Sequence, residues 1–553
     1  MLIDHLLKRN VFFQLSVCLV CLILVVGADC ASSLSSEIAE SNASIKVLII
    51  ELDSLRKDCL YEILDELPNI REVVKGKDNN AHFIYLPTVQ TIIPSASAPA
   101  NTSIYTGVYP RTHGVFSTTW FDRHQIKIHE LISYSQDRIN KILEEREIKT
   151  IFDYVKDAGK TNLVSMLFIS KGVEPKRWLR STICLWANSF WINFFKDFRT
   201  IPDAIHIDKR GTRGFLKGHI YSLSDGVEGY YRKHHTIPDL MVIHYFAFDI
   251  FSHYPHRYQV KEQWSMEKIQ KYYLKNVIDP QVGRIVKWLK EKQLFEQCVF
   301  LFIADHGMTQ ITKHLDDDLV KDALGKEFKT QRFGRKLKKT EVICMAGAGT
   351  KAIYIKKRES KKWDSPPSLR RDIKPAVDLL LNNNEIKGAL EAVLISQFPD
   401  ERKEGIPETD AFWYFDGNNY LHTTQEEGDF LSALKPISHL DTLYQGSDLS
   451  TYFHKHYSRD SAPDIILINK PGLFYAPNKG KYGHHGSIYA TDCMVSFLIG
   501  GPDLHQKLAQ SYVIEEKANV LDLVPTVGRL LNINVPSTLD GKDIISTFNL
   551  VYE

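Results

Sequence analysis

Short, uninterrupted apolar runs recur along the chain, and each has the length of a single buried strand. The runs with this pattern are residues 46–52, 162–167, 240–248, 298–304, 351–355, 464–468 and 494–499. Such runs are typical of strands that are covered on both faces. Stretches with helical periodicity, such as 281–292 and 518–531, lie between them. The alternation predicts an α/β fold with a mostly parallel central sheet sandwiched by helices.

Acidic residues and histidines follow several of these predicted strands. Asp53, Asp249, Asp305 and His306 all stand at or near the carboxyl end of a run, where ligands bind in parallel sheets. Carboxylates and imidazoles together suit a divalent metal. Asp249 and His253 are four residues apart, so a helical turn would place them on one face. Asp305 and His306 are adjacent at a strand end, so we expect their side chains to diverge and to serve two metals.

Residues 92–107 combine small residues and prolines with a predicted short helix. Pro99 suits the first turn of that helix, and Gly107 suits its end. Ser97 would then lie at the helix N-terminus, where free N–H groups and the helix dipole favour an anion. A hydroxyl there could attack a phosphorus or sulfur centre. The alternative is that Ser95 or Ser97 only caps the helix.

Two further segments offer candidate ligands whose roles the residues alone leave open. His484 and His485 share the glycine-rich stretch 482–487, and either could bind a metal. Lys171 follows the predicted strand 162–167 and could contact a phosphate oxygen, or it could be a solvated lysine.

Composition narrows the classes of partner. The net charge of the 553 residues is only +2, which argues against binding to a nucleic-acid duplex. Two basic runs, 326–339 and 356–362, are interpreted as solvated loops. Eight cysteines are present without a C-x-x-C pair, so a zinc–thiolate site is not indicated and spacing assigns no disulfides.

The N-terminus has the pattern of an export signal. Lys8 and Arg9 precede an uncharged run, 11–26, and small residues lead up to Ala28. A signal peptide over 1–28 is therefore predicted, with secretion or periplasmic export as its consequence. An uncleaved anchor is the alternative, but the run is shorter than the roughly 20 residues that a membrane span needs.

We expect a flexible leader, a single large catalytic domain and a short tail. Their predicted bounds are 29–45, 46–545 and 546–553. The polar, irregular segment 357–463 is predicted to be an inserted subdomain. Aromatic residues are dense in 178–198. That segment is either part of the core or an apolar lid that accepts a lipid or aryl leaving group and contacts a membrane peripherally.

Taken together, these residues resemble the type I phosphodiesterase/nucleotide pyrophosphatase family of the alkaline phosphatase superfamily. The resemblance runs in family order over roughly residues 46–545. The segments that carry it are 49–53, 94–101, 105–115, 249–253, 303–308, 485–486, 520–526 and 539–541. The resemblance implies an alkaline-phosphatase-like fold and hydrolysis of phosphodiesters or nucleotide pyrophosphates, with a small phosphoester or a lipid phosphodiester as substrate.

The resemblance also implies two metal ions, usually Zn²⁺, and a phosphoseryl intermediate on Ser97. One metal would be held by Asp53, Ser97, Asp305 and His306. The other would be held by Asp249, His253 and His485. His485 is preferred to His484 because the family histidine directly precedes a glycine.

Departures from the family pattern leave other functions open. Family members carry threonine as the nucleophile, where this chain has Ser97, and they bind a phosphate oxygen through an asparagine where this chain has Thr118. The stretch 97–101 also resembles the sulfatase signature, which needs arginine in place of Asn101. The alternatives are therefore a sulfatase-like enzyme, a phosphomonoesterase, or a catalytically silent binding protein on the same fold.

Overall fold

The computed structural model describes most of the chain from residue 44 to residue 552. The gaps within that range are 94, 132–134, 175–177, 180–203, 219–224, 259–263, 332–335, 348, 360, 364–366, 397–410, 416–419, 425–460 and 476–479. The predicted signal peptide, nearly all of the leader and most of the aromatic segment lie outside the described residues. The described residues from Ile45 onward form one compact unit.

Strands and helices alternate through the first two thirds of that unit. The described strands are β1 Lys46–Leu52, β2 Ile84–Gln90, β3 Thr119–Asp122, β4 Lys127–Glu130, β5 Asn162–Ser165, β6 Trp178–Leu179, β7 Leu240–Tyr245, β8 Cys298–Ile303, β9 Thr309–Gln310, β10 Lys313–Leu315, β11 Val342–Gly347, β12 Thr350–Ile355, β13 Leu390–Ser396, β14 Ala411–Phe415, β15 Tyr420–Thr424, β16 Ile465–Asn469, β17 Leu473–Tyr475, β18 Gly483–His484, β19 Met494–Gly500, β20 Tyr512–Val513 and β21 Ala518–Asn519.

The described α-helices are α1 Pro68–Lys75, α2 Ser97–Thr106, α3 Pro110–His113, α4 Ser135–Glu145, α5 Ile151–Asp157, α6 Ala204–Lys217, α7 Gly226–His234, α8 Ala247–His253, α9 Met266–Tyr273, α10 Asp279–Glu291, α11 Leu319–Leu324, α12 Lys374–Leu381, α13 Asn384–Ala389, α14 Ala490–Cys493, α15 Pro502–Lys507, α16 Leu523–Leu530 and α17 Ile544–Thr547. Shorter 3-10 or π segments are Tyr61–Glu66, Pro255–Tyr258, Leu274–Ile278, Phe295–Gln297, Leu337–Lys339, Leu369–Ile373 and Val520–Asp522.

The main sheet is mostly parallel, which confirms the predicted fold class. Its strand order is β20-β2-β19-β8-β1-β7-β5-β6, with β21 also paired to β2. β1 lies at the centre, parallel to β7 on one side and to β8 on the other. Every residue of these three strands is buried. Burial at every position means that both faces are covered, which is why the runs are continuously apolar.

One main-sheet strand runs against the others. β19 is antiparallel to both of its neighbours, β2 and β8. Its sequence is as continuously apolar as that of the parallel strands, so the direction of this strand does not show in the pattern. The strand prediction at 494–499 is confirmed; its direction is set by tertiary pairing.

A second sheet lies outside the main one and has its own core. Its order is β11-β12-β16-β13-β14-β15, and every neighbouring pair is antiparallel. The apolar runs 351–355 and 464–468 belong to it as β12 and β16, not to the central parallel sheet. The sheet therefore joins strands inside the segment 357–463 to strands on both sides of that segment.

Helix α2 is buried although many of its residues are polar. All of its residues from Ala98 to Thr106 are buried. Its hydroxyls bond within the helix: Thr102 donates to the carbonyl of Ala98 at 2.7 Å, and Thr106 donates to the carbonyl of Thr102 at 2.6 Å. The small side chains and these internal hydrogen bonds let the helix pack deep in the protein without unpaired hydroxyls.

The end of α2 requires a glycine. Gly107 has φ of 71°, the left-handed conformation, and its N–H bonds the carbonyl of Ser103 at 2.9 Å.

Within the described residues, no helix is both long and apolar enough to cross a membrane.

We expect Gly107→Ala to destabilise the protein more than the matched change Gly159→Ala. Both glycines have positive φ, which costs an alanine about 1 kcal/mol. A Cβ at Gly107 would also lie 3.1 Å from Leu539 and Val524, whereas a Cβ at Gly159 would meet nothing within 4 Å. Urea unfolding of both variants measures the difference. Equal shifts in the midpoint would show that the packing behind α2 is not tight.

Candidate active site

The central strands bring the predicted site residues to one edge of the main sheet. Asp53 follows β1, Asp249 and His253 lie on α8 after β7, and Asp305 and His306 follow β8. Because β7, β1 and β8 are parallel neighbours, their carboxyl ends meet at the same edge. The topology therefore assembles side chains that are more than 200 residues apart in sequence.

Ser97 points into this cluster and does not cap its helix. It is the first residue of α2, and the residue before it, Ala96, makes no side-chain cap. The Ser97 hydroxyl oxygen lies 3.0 Å from His306 Nε2 and 3.5 Å from Asp53 Oδ1. The Ser97 hydroxyl therefore faces the cluster of carboxylates and imidazoles; a role as nucleophile stays a prediction.

A first group of potential metal ligands consists of Asp53, Asp305 and His306. All three are buried, and their ligand atoms lie within 4.8 Å of one another. His306 Nε2 is 3.6 Å from Asp53 Oδ1 and 3.5 Å from Asp305 Oδ2. The expectation that Asp305 and His306 diverge was wrong. Both lie beyond Ile303, where β8 ends, so the alternation of a pleated strand no longer applies to them.

A second group surrounds Asp249. His253 Nε2 lies 3.2 Å from Asp249 Oδ2 on the same face of α8, as the spacing of four predicts. His485 Nε2 lies 3.7 Å from Asp249 Oδ1. Asp249, His306 and His485 have ligand atoms within 4.8 Å of one another, as do His253, His484 and His485. The two groups are therefore adjacent and share His306.

Three of these histidines have Nδ1 bonded to a main-chain carbonyl. His306 Nδ1 lies 2.9 Å from the oxygen of Gly307, His253 Nδ1 lies 2.6 Å from that of Gly483, and His485 Nδ1 lies 2.8 Å from that of Ser95. In each ring, Nε2 is then left to face the carboxylates. Metal-binding histidines have this arrangement, because the outer hydrogen bond sets both tautomer and orientation.

His484 is held differently from His485. Its Nδ1 accepts the main-chain N–H of His485 at 2.9 Å, and its Nε2 lies 3.4 Å from the ammonium of Lys481. His485, by contrast, presents Nε2 to Asp249. The structure thus distinguishes two neighbours that the residues alone leave equivalent, and the distinction favours His485 as the ligand.

The electrostatics of the cluster favour added positive charge. Burial, and next the charge of Asp305, hold the pKa of Asp53 well above its usual value. Burial opposes protonation of His306, but the carboxylates of Asp305, Asp53 and Asp249 outweigh it and raise its pKa to about 9. Burial holds the pKa of His485 well below its usual value, so this imidazole is neutral. Carboxylates crowded in this way are stabilised by divalent cations.

Two residues that were not predicted from the sequence hold parts of the site in place. Asn101 holds Asp305, and Asp492 holds the loop that carries His485. The amide of Asn101 donates to Asp305 Oδ2 at 3.1 Å from inside α2. Asp492 Oδ2 accepts the main-chain N–H of Ser487 at 3.0 Å and its hydroxyl at 2.5 Å, which fixes the loop after His485. Asn101 occupies the position where a sulfatase would need arginine. Here the asparagine has a structural role of its own, because it donates a hydrogen bond to Asp305.

A buried polar set lies behind Asp53. His244 Nε2 is 3.1 Å from Asp53 Oδ2 and 3.9 Å from Glu51 Oε1. The hydroxyl of Tyr105 donates to Glu51 Oε2 at 2.7 Å, and burial raises the pKa of Glu51 to about 7. Glu51 and His244 are register partners in β1 and β7. The only sequence signal for them is a polar residue inside each of two apolar strands.

The two predicted substrate contacts lie on different segments: Lys171 follows β5 and Thr118 precedes β3. The ammonium of Lys171 is 2.7 Å from Asp153 Oδ2, which also accepts the N–H of Thr150, the N-cap of α5. Thr118 precedes β3, and its carbonyl accepts the N–H of Leu131 at 3.0 Å. A phosphate contact by either residue stays a prediction; the ion pair to Asp153 supports a structural role for Lys171.

The cysteines within the described residues are not part of the cluster. Cys59, Cys298, Cys344 and Cys493 are all free and buried. The candidate ligands in this part of the chain are therefore oxygen and nitrogen atoms alone.

The α/β fold is alkaline-phosphatase-like, and carboxylates, imidazoles and a serine cluster at one edge of its main sheet. This combination defines a class of metal-dependent hydrolases. Residues 47–488 match the sequence model of the type I phosphodiesterase / nucleotide pyrophosphatase family. The match covers most of the chain, and the chain belongs to this family. A search of curated proteins finds no match.

Solved structures with the same fold are similar over most of their length. Murine ectonucleotide pyrophosphatase/phosphodiesterase 5 has a TM-score of 0.51 at 17% identity, covering 89% of this chain and 96% of that one. An inactive threonine-to-alanine variant of it, in complex with AMP, has a TM-score of 0.52 at 17% identity, with the same coverage. The human protein has a TM-score of 0.51 at 16% identity, covering 91% and 99%. These similarities support the fold.

We expect His244→Phe to weaken the binding of a divalent metal at this cluster by a factor of about 10 to 100, the usual effect of losing a residue that orients a metal ligand. His244→Gln, which keeps an N–H donor, should lose less. His129→Phe is the matched control, because His129 stacks on Trp120 with ring centroids 4.7 Å apart and lies outside the cluster. Competition with a chromophoric chelator measures the affinities. Equal affinity in all three variants would mean that His244 does not position Asp53.

Proposed function

We propose that the chain is an exported two-zinc phosphodiesterase that forms a phosphoseryl intermediate on Ser97. One observation carries the proposal: the Ser97 hydroxyl faces His306 and Asp53, 3.0 Å and 3.5 Å away, at the N-terminus of a buried helix. Membership of the family supports hydrolysis of phosphodiesters or nucleotide pyrophosphates. Export rests on the predicted signal peptide.

The donor atoms fit two divalent cations. Three imidazoles present Nε2 inward, and three carboxylates face them. Asp249 Oδ1 is buried and has no hydrogen-bond partner among the described residues, as expected of an oxygen whose partner is a metal. Mixed nitrogen and oxygen donors favour zinc over calcium.

The proposed ligand sets follow from the two groups. Asp53, Ser97, Asp305 and His306 would hold one metal. Asp249, His253 and His485 would hold the other. When bound, two such cations lower the pKa of a coordinated hydroxyl and neutralise charge on the phosphoryl and leaving oxygens.

The residues of the chain orient the substrate and carry the covalent step. The N–H groups of the first turn of α2 face the anion-binding end of the helix, and Pro99 removes one donor that would otherwise be unpaired. The Ser97 oxygen attacks phosphorus, the bond from phosphorus to the leaving oxygen breaks, and the hydroxyl proton passes to solvent. Water then attacks the phosphoseryl ester, and the Ser97 oxygen departs as the hydroxyl is restored.

We expect Ser97→Ala to reduce kcat for a nitrophenyl phosphodiester by a factor on the order of 1,000 or more, because the nucleophile itself is lost. Ser97→Thr should retain activity, since threonine keeps the hydroxyl. Ser103→Ala is the matched control from the same helix, because the Ser103 hydroxyl lies 2.9 Å from His113 Nε2, outside the cluster. Full activity in Ser97→Ala would refute the proposed nucleophile.

Metal content separates the remaining alternatives. We expect purified protein to contain close to two zinc ions per chain by plasma emission spectrometry and to lose activity on a phosphodiester when they are chelated. A single calcium together with hydrolysis of sulfate esters would favour the sulfatase-like alternative. No metal and no hydrolysis of mono- or diesters would favour a silent binding protein.

A further inference from the structure

A buried glutamine on α9 contacts the turn that follows Asp53. Gln270 is fully buried. Its side-chain oxygen accepts the main-chain N–H of Arg56 at 3.0 Å, and its amide nitrogen donates to the main-chain carbonyl of Ser54 at 2.8 Å. Because the N–H can only donate and the carbonyl can only accept, these two partners fix the orientation of the amide. One side chain therefore bonds both ends of a turn that begins next to a candidate metal ligand.

Ser54 has a backbone conformation that serine rarely adopts. Its φ is 65°, in the left-handed region. There the Cβ of an L-residue crowds the following carbonyl oxygen, so glycine is the usual occupant. In this conformation the main-chain N–H of Ser54 donates to Asp305 Oδ1 at 3.1 Å. The strained residue thus connects the turn after β1 to a second candidate ligand.

The two bonds from Gln270 hold this strained turn in place. A residue in a sparsely populated region persists only where its surroundings fix it. The carbonyl of Ser54 and the N–H of Arg56 lie on the two sides of Leu55, and both are bonded by the same amide. Without these bonds Ser54 could return to a more favourable φ, and its N–H would turn away from Asp305.

Gln270 also contacts the helix that carries two ligands of the second group. Helix α9 packs against α8, and the amide nitrogen of Gln270 lies 3.4 Å from the hydroxyl oxygen of Ser252. That hydroxyl donates to the carbonyl of Phe248 at 3.0 Å, which leaves its oxygen to accept from the amide. The same side chain therefore joins the turn after Asp53 to the residue that precedes His253.

We propose that Gln270 is a positioning residue for the metal cluster. It fixes the left-handed turn at Ser54 and, through the N–H of Ser54, orients the carboxylate of Asp305. Its effect on a bound ion passes through the main chain of Ser54. The proposal rests on the proposed function in one respect, which is that divalent ions bind at this cluster.

The test measures the effect of Gln270→Met in two backgrounds, the unaltered chain and Ser54→Gly. Methionine fills nearly the same space as glutamine but lacks the amide, and glycine adopts the left-handed conformation without strain. Gln281→Met is the matched control, because Gln281 is buried on α10 and its side-chain oxygen accepts from Arg284 at 3.3 Å. Competition with a chromophoric chelator gives the affinity for Zn²⁺. Amide hydrogen exchange of the metal-free protein gives the protection of the N–H of residue 54.

In the unaltered background we expect Gln270→Met to weaken Zn²⁺ binding about tenfold, as the loss of a residue that orients a ligand does, and to speed exchange at residue 54. In the Ser54→Gly background the same change should have little effect on either measurement, because glycine needs no support in this conformation. Gln281→Met should match the unaltered chain. If Gln270→Met does not fold, Gln270→Asn, which keeps the amide but shortens its reach, supplies the same comparison.

Equal losses in the two backgrounds would overturn the proposal, since they would show that Gln270 acts through packing alone. The proposal would also be wrong if Gln270→Met and Gln281→Met had the same affinity and the same exchange. If the unaltered chain bound no Zn²⁺, the two-metal function would fail, but faster exchange at residue 54 that disappears in the Ser54→Gly background would still support the role of Gln270. Neither measurement uses catalysis, so a failure of the proposed hydrolysis would not change the result.

Discussion

Crowding of carboxylates at one sheet edge is the constraint on which this site depends: Asp53 and Asp305 are buried, and Asp249 is partly exposed. Asp53, Asp249 and Asp305 converge at one sheet edge because β1, β7 and β8 are adjacent and parallel. Burial and mutual repulsion raise the pKa of Asp53 well above its usual range, so the fold holds a cluster that favours compensating cations. The buried apolar strands hold this arrangement in place, because they fix the backbone positions of the three carboxylates.

The remaining parts of the site serve that cluster. Main-chain carbonyls turn the Nε2 atoms of the histidines inward, and Asn101 orients Asp305 from within the helix that carries Ser97. Helix α2 can be buried this deeply because most of its residues are small and its threonine hydroxyls donate to main-chain carbonyls of the same helix. The same few elements therefore supply both positioning and charge, and Ser97, the proposed nucleophile, lies where these elements meet.

Much of the fold and the site could be predicted from the sequence, because strand ends and residue spacing are local properties. The helix over Ser97–Thr106, its stop at Gly107 and the Asp249–His253 turn follow from short stretches. Features set by pairing could not be predicted: the antiparallel direction of β19, the second sheet, and the Glu51–His244 pair that exists only through strand register. The burial of Lys356 likewise depends on tertiary contact, because its ammonium donates to the carbonyl of Lys338 in a separate segment.

The most direct test of the account is to trap the covalent intermediate. A reaction with a phosphodiester substrate is quenched in acid within its first turnovers, and the digested protein is examined by mass spectrometry. We expect a phosphoryl adduct on the peptide that contains Ser97, and no adduct in Ser97→Ala. A phosphoryl adduct on a different residue, or rapid hydrolysis that persists in Ser97→Ala, would contradict it.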